Sequence, residues 1–112
     1  MIRVLLDEGL DVRLRLYLSP ELQVETVHFR GWKGKRNGDL LRLAEEDFDV
    51  LMTFDASLRY QQNLSRFAIA IIVLRPRTQS LADLIELVPQ LNRDIISVRV
   101  SEVREVLPPT KG

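Results

Sequence analysis

LMTFDASLRYQQN, residues 51 to 63, passes from a short apolar run to a polar one within a few residues, and Asp55 stands at the change. The apolar part, Val50-Leu51-Met52-Thr53, is too short for a helix and reads as a strand buried on both faces, the pattern of a parallel sheet. Beyond Asp55, residues 56 to 64 suit a short helix with Leu58 and Leu64 turned inward. A carboxylate therefore leaves a buried strand at its C-terminal end.

The same pattern recurs on either side. Ile2 to Leu6 is an apolar stretch broken only by Arg3 and ended by Asp7, Glu8 and Gly9; Phe67 to Leu74 is the clearest buried strand, ended by Arg75-Pro76. Leu22 to Phe29 alternates, which suits a strand near an edge, and Ile95 to Val100 predicts a fifth strand. Between these runs the spacing is helical. Leu10, Leu14, Tyr17 and Leu18 share a face before Ser19-Pro20; Leu40, Leu41, Leu43 and Ala44 follow Asn37, which can cap them. Leu81, Leu84, Ile85 and Val88 follow Ser80, with Asp83 placed to complete a capping box. Pro89 predicts a kink or early stop there, with Gln90 to Arg93 as a continuing turn. Strands alternating with helices predict an α/β fold: one three-layer α/β/α domain over residues 1–107 with a mostly parallel five-stranded sheet, followed by a disordered tail, 108–112.

Composition sets the outer limits. The chain has 112 residues, 46% hydrophobic and 29% charged, which suits one globular domain of about 100–150 residues. With no cysteine, disulfides and thiolate metal sites are excluded, and a reducing cytoplasmic setting is expected. The N-terminus does not have the form of a signal peptide, and no apolar run approaches the roughly 20 residues that span a bilayer, so no membrane is expected. Lys plus Arg and Asp plus Glu are 16 each, so net charge predicts no affinity for polyanions.

The chemistry concentrates at the strand ends. In a parallel sheet of order 2-1-3-4-5, strands one and three are neighbours, and Asp7 and Asp55 would converge where ligands usually bind. With Glu8, and with Asp39 or Glu45 from the second helix, they would form an oxygen-rich pocket suited to Mg²⁺ or Mn²⁺. Such an ion activates water and stabilises charge on a phosphodiester. The bland alternative is that each acid caps the element after it, Asp55 before Ala56-Ser57 in particular. Lone His28, on the alternating strand, reads as a packed or half-exposed residue rather than a base or ligand.

VLLDEGL, then the Gly-Trp loop RGWKGKRNG, then LLRLAEE, then VLMTFDASLRYQQNL, in this order and spacing from about residue 2 to 75, resemble the PIN-like domains related to VapC-type toxins. The resemblance implies a PIN-like fold and a Mg²⁺- or Mn²⁺-dependent ribonuclease, with Asp7 and Asp55 catalytic and, with Glu8 and Asp39, metal-binding. It implies RNA as substrate, and names a cognate antitoxin protein and a homodimer as candidate partners. Three positions depart from the family pattern: Asn37 and Ser57 stand where an acid is usual, and Gly9 stands where Asn is usual.

RGWKGKRNG also carries its own signal. Trp32 lies among Arg30, Lys33, Lys35 and Arg36, and cations beside an aromatic face are what single-stranded RNA binding needs. Trp32, Lys33, Lys35, Arg36 and Asn37 are therefore candidate substrate contacts, with Arg59 and Gln62 from the segment after Asp55. The bland alternative is a solvated loop with Trp32 packed down. Two other functions compete: a catalytically depleted PIN-like module binding RNA or a partner protein, and a phosphoacceptor receiver, which lacks its lysine after strand five.

Overall fold

A computed structural model describes residues 1–61 and 63–110, without the side chains of Arg59 and Gln61. The substrate contacts expected of Gln62 and of the Arg59 side chain lie outside the described residues, as does the end of the tail, 111–112. The strands are β1 (Arg3–Leu6), β2 (Gln23–Thr26), β3 (Val50–Thr53), β4 (Ala70–Leu74) and β5 (Val103–Val106). The helices are α1 (Asn37–Asp47), α2 (Leu58–Gln61), α3 (Leu81–Glu86) and α4 (Val88–Ser97), with 3-10 turns at Val12–Leu16 and Leu64–Arg66.

The strands form one sheet in the order β2-β1-β3-β4-β5, and every pairing is parallel. The central strands are apolar on both sides because both faces are covered. Val4, Leu6, Val50, Met52 and Ile72 pack with Leu10, Leu14, Leu84, Leu87, Leu91 and Ile95. On the other face Leu5, Leu51, Ile71 and Val73 pack with Leu40, Leu41 and Ala44 of α1, and with Phe48 and Leu58. Each such side chain contributes about 1.5–3 kcal/mol on leaving water, set against the entropy of the ordered chain. Among the described residues no helix is long and apolar enough to cross a membrane.

Four elements differ from their sequence expectation. The helix expected from Leu10 is a 3-10 turn of five residues, capped by the Asp11 side chain on the Arg13 amide, although Leu10, Leu14 and Leu18 are buried as their spacing requires. Asn37 is the first residue of α1 and does not cap it; Arg36 occupies the cap position without a side-chain bond. Asp83 does not close the capping box: Ser80 Oγ accepts the Asp83 amide, but the Ser80 amide goes to Thr78 Oγ1.

The largest difference is at Ile95 to Val100. This stretch is not the fifth strand: α4 runs through Ser97, and the strand comes later, at Val103–Val106. β-Branched content made the segment look extended, but Leu91 and Ile95 sit one helical turn apart and are buried, whereas Ile96 is 69% exposed. Pro89 lies in the first turn of α4, where its missing N–H is not needed, so it starts a helix after the break at Leu87.

Candidate functional site

The parallel register sets Leu6 of β1 level with Met52 of β3, and the Asp7 amide extends the ladder by donating to the Met52 carbonyl at 2.9 Å. Asp7 and Thr53 thereby emerge side by side at the C-terminal edge of the sheet. In this strand order the edge between β1 and β3 is the switch point, where the chain leaves in opposite directions and opens a crevice. The two acids singled out from the sequence are brought together there.

Thr53 joins them. Its hydroxyl donates to Asp7 Oδ2 at 2.7 Å and accepts the Asp55 amide at 3.1 Å. Asp55 Oδ1 accepts the Ser57 amide at 2.9 Å and the Ser57 hydroxyl at 2.5 Å, while Oδ2 accepts Nδ2 of Asn37 at 3.0 Å. Asn37, at the start of α1, thus reaches the site from the layer below the sheet. Asp55 does hold the turn that precedes α2, so its local structural role is real and coexists with its place in the cluster.

The carboxylates differ in electrostatics. Burial pushes the Asp7 carboxyl above its ordinary range; the Thr53 hydroxyl and the Glu8 amide pull it down, and the charges of Glu8 and Asp55 push it up. The Ser57 hydroxyl holds Asp55 below its ordinary range, against a smaller effect of burial, helped by the Ser57 amide and Asn37. Among the described residues no lysine or arginine forms an ion pair with either acid. The donors to these carboxylates among the described residues are neutral: Thr53, Asn37, Ser57 and the amides of Glu8 and Ser57.

The other candidates lie farther out. Glu8 is exposed and its Oε1 accepts the Gly34 amide at 2.9 Å, which fastens the basic loop to the end of β1. Asp39 is exposed on the first turn of α1. Among the described residues no three or more of His, Cys, Asp and Glu are gathered to hold a metal ion, so the set Asp7, Glu8, Asp39 and Asp55 does not assemble as four ligands. Asp7 and Asp55 supply carboxylate oxygens, the donor type that a hard divalent cation takes. Magnesium is commonly held by one or two carboxylates, with waters and substrate phosphate completing its shell.

In the basic loop, Lys33, Lys35 and Arg36 are exposed, but Arg30 is not available to a ligand. Its guanidinium pairs with Glu25 and Asp47, each at 2.8 Å, and lies 4.7 Å from the Phe48 ring centroid and 5.4 Å from that of Trp32. Trp32 meets Phe48 edge to face at 6.2 Å and is partly buried against the core. The packed alternative thus describes Trp32 better than an open stacking platform. Gly31 and Gly34 have φ of 74° and 80°, the left-handed turns that let this loop fold back; Gly38, read from the sequence as a loop residue, belongs to α1.

Two residues gain importance that sequence reading did not give them. Thr53 is 1% exposed and its only sequence signal is a hydroxyl at the end of an apolar strand, two residues before an acid. His28, expected to be packed or half-exposed, is exposed beside the same sheet edge. It lines a cleft of about 380 Å³ together with Asp7, Glu8 and Lys33. No family model, characterised protein or solved structure matches this chain.

Proposed function

We propose that this chain is a PIN-like, cytoplasmic, metal-dependent ribonuclease whose reacting centre is the Asp7–Thr53–Asp55 cluster. The observation that carries the reading is the 2.7 Å bond from Thr53 to Asp7 across the β1–β3 edge, which ties two carboxylates together at the switch point of a parallel sheet. Asp7 and Asp55 would hold Mg²⁺ or Mn²⁺, with the Asn37 amide beside them. When bound, such an ion supplies an activated water and stabilises charge on the phosphodiester. Thr53 fixes the direction of the Asp7 carboxylate, and Asn37 and Ser57 fix that of Asp55. Lys33, Lys35 and Arg36 on the adjoining loop supply phosphate contacts for a single strand.

The test is cleavage of an end-labelled single-stranded RNA in Mg²⁺ or Mn²⁺. Asp7→Asn and Asp55→Asn are each expected to lower cleavage by a hundredfold or more, since losses of about 10–100-fold follow even from removing residues behind the ligands. Wild-type protein without cleavage in either ion, or mutants that cut like wild type, would end the proposal. A second reading has its own support: both oxygens of Asp55 are occupied by neutral donors, Asn37 and Ser57, where the family pattern has acids. On that reading the chain is a depleted module that binds RNA or a protein, an antitoxin or a second copy among them, and Mn²⁺ titration would detect no site.

A further inference from the structure

Beside the acid pair lies the cleft of about 380 Å³, within the size range of small-molecule sites. It is built by the segments that follow β1 and β2, two neighbours in the sheet. Val12 gives it exposed apolar surface, with the buried Leu6 and Leu10 behind; Asp7 stands toward the reacting centre; His28 and Lys33 stand on the β2 side. A second cleft of about 490 Å³ shares Val12, Thr26 and His28 and runs on past Phe29. Val12 is 47% and Phe29 77% exposed, so apolar surface continues out of the cleft into solvent.

The lining selects among occupants. Asp7 and Glu8 disfavour a free anion in the cleft, and a bare cation has no use for Leu6, Leu10 and Val12. A flat, neutral, heteroaromatic ring suits both the apolar surface and the imidazole of His28. An anionic chain attached to that ring would run outward past Lys33. An unpaired nucleobase on a phosphodiester has both parts. We infer that this cleft is a nucleotide subsite: the base of the RNA residue next to the scissile phosphate stacks on His28, and Lys33 meets its phosphate. The identity of the strand as RNA rests on the ribonuclease reading; the subsite itself requires no metal ion.

The full-length chain is titrated with uridine and adenosine 5′-monophosphates, without divalent ions, and amide chemical shifts are followed. Saturable shifts confined to residues 6–12 and 26–33 are expected. His28→Ala, which removes an exposed ring, and Val12→Trp, which fills the cleft, should each weaken binding by about tenfold or more. Absence of saturable shifts, shifts centred elsewhere, or wild-type binding by both variants would overturn the subsite. Failure of the two readings is distinguishable. Protein that binds mononucleotide as described but never cuts RNA keeps the subsite and loses the ribonuclease; protein that cuts RNA with KM unchanged in both variants loses the subsite alone.

Discussion

The Thr53 hydroxyl donates a 2.7 Å hydrogen bond to Asp7 Oδ2, so a buried residue of one strand orients the acid that follows its neighbour. Removing the hydroxyl leaves the half-buried Asp7 carboxylate with the Glu8 amide on Oδ1 but without the Thr53 donor on Oδ2, and the Asp55 amide without its acceptor. Thr53→Val, of similar shape, is expected to lower stability by about 1–3 kcal/mol in urea melts. Cleavage should fall about 10–100-fold, through kcat more than KM, because the carboxylate is retained but misdirected. A variant equal to wild type in both would remove Thr53 from the site.

The pH dependence of stability should separate the two acids. Asp7 has a raised pKa in the fold, so the native state holds its proton more tightly than the unfolded chain does. The stability contributed by Asp7 is full below the ordinary value of 3.8 and is lost as pH rises through the folded pKa. Asp55 is lowered, so its contribution is present above the ordinary value and is lost as pH falls through the folded pKa. At pH 7, without divalent ions, Asp7→Asn should therefore melt at higher urea than wild type and Asp55→Asn at lower. The Asp7→Asn difference should shrink as the pH approaches 4, and a difference independent of pH would show that ionisation is not its source.

Asn37→Asp exchanges a donor for a like charge beside Asp55, whose Oδ2 is 3.0 Å from Asn37 Nδ2. Without divalent ions the variant should lose about 1–3 kcal/mol. Mn²⁺ should return the loss, since an ion at a hundred times its Kd stabilises by about 2.7 kcal/mol. Calorimetry should find the variant binding Mn²⁺ more tightly than wild type; equal or weaker binding would mean that α1 does not face the ion.

Arg30 holds the loop from beneath, by two carboxylates and two aromatic rings. Arg30→Lys keeps the charge but not the planar fork, and should still lower stability by about 1–3 kcal/mol. Trp32 fluorescence should report the loosened packing against Phe48. A lysine variant with wild-type stability and emission would mean that charge alone matters here.

The strands β1, β3 and β4, and Asp7 and Asp55 after two of them, were legible because these are near-unbroken apolar runs between polar breaks, and buried parallel strands have that appearance; the runs themselves do not fix the order β2-β1-β3-β4-β5. Alternation likewise placed β2 at an edge. The C-terminal third was harder. Ile95 and Ile96 carry β-branched side chains whose preference for extended chain is overridden by the burial of Leu91 and Ile95 on one helical stripe, and only past Ser97 does the chain become extended, at Val98, while β5 is half charged, as Arg104 and Glu105 suit an edge strand. At the site, the acids could be found as residue types at strand ends. Of their partners, Ser57 is two positions from Asp55 and within reach of a capping argument, but Thr53 to Asp7 spans 46 positions and Asn37 to Asp55 spans 18, and only packing brings these together.

The level pairing of Leu6 with Met52 has a consequence for tolerance to insertion and deletion. Side chains alternate between the faces of a pleated strand, so deleting one residue within β1 would send Asp7 to the opposite layer and Leu5 and Leu6 to each other's cores. Adding residues in the turn between α3 and β4 would leave that pairing untouched. The carboxylate pair is thus protected against change in most of the connecting chain and vulnerable to a single-residue shift of frame in eight residues, the four of β1 and the four of β3.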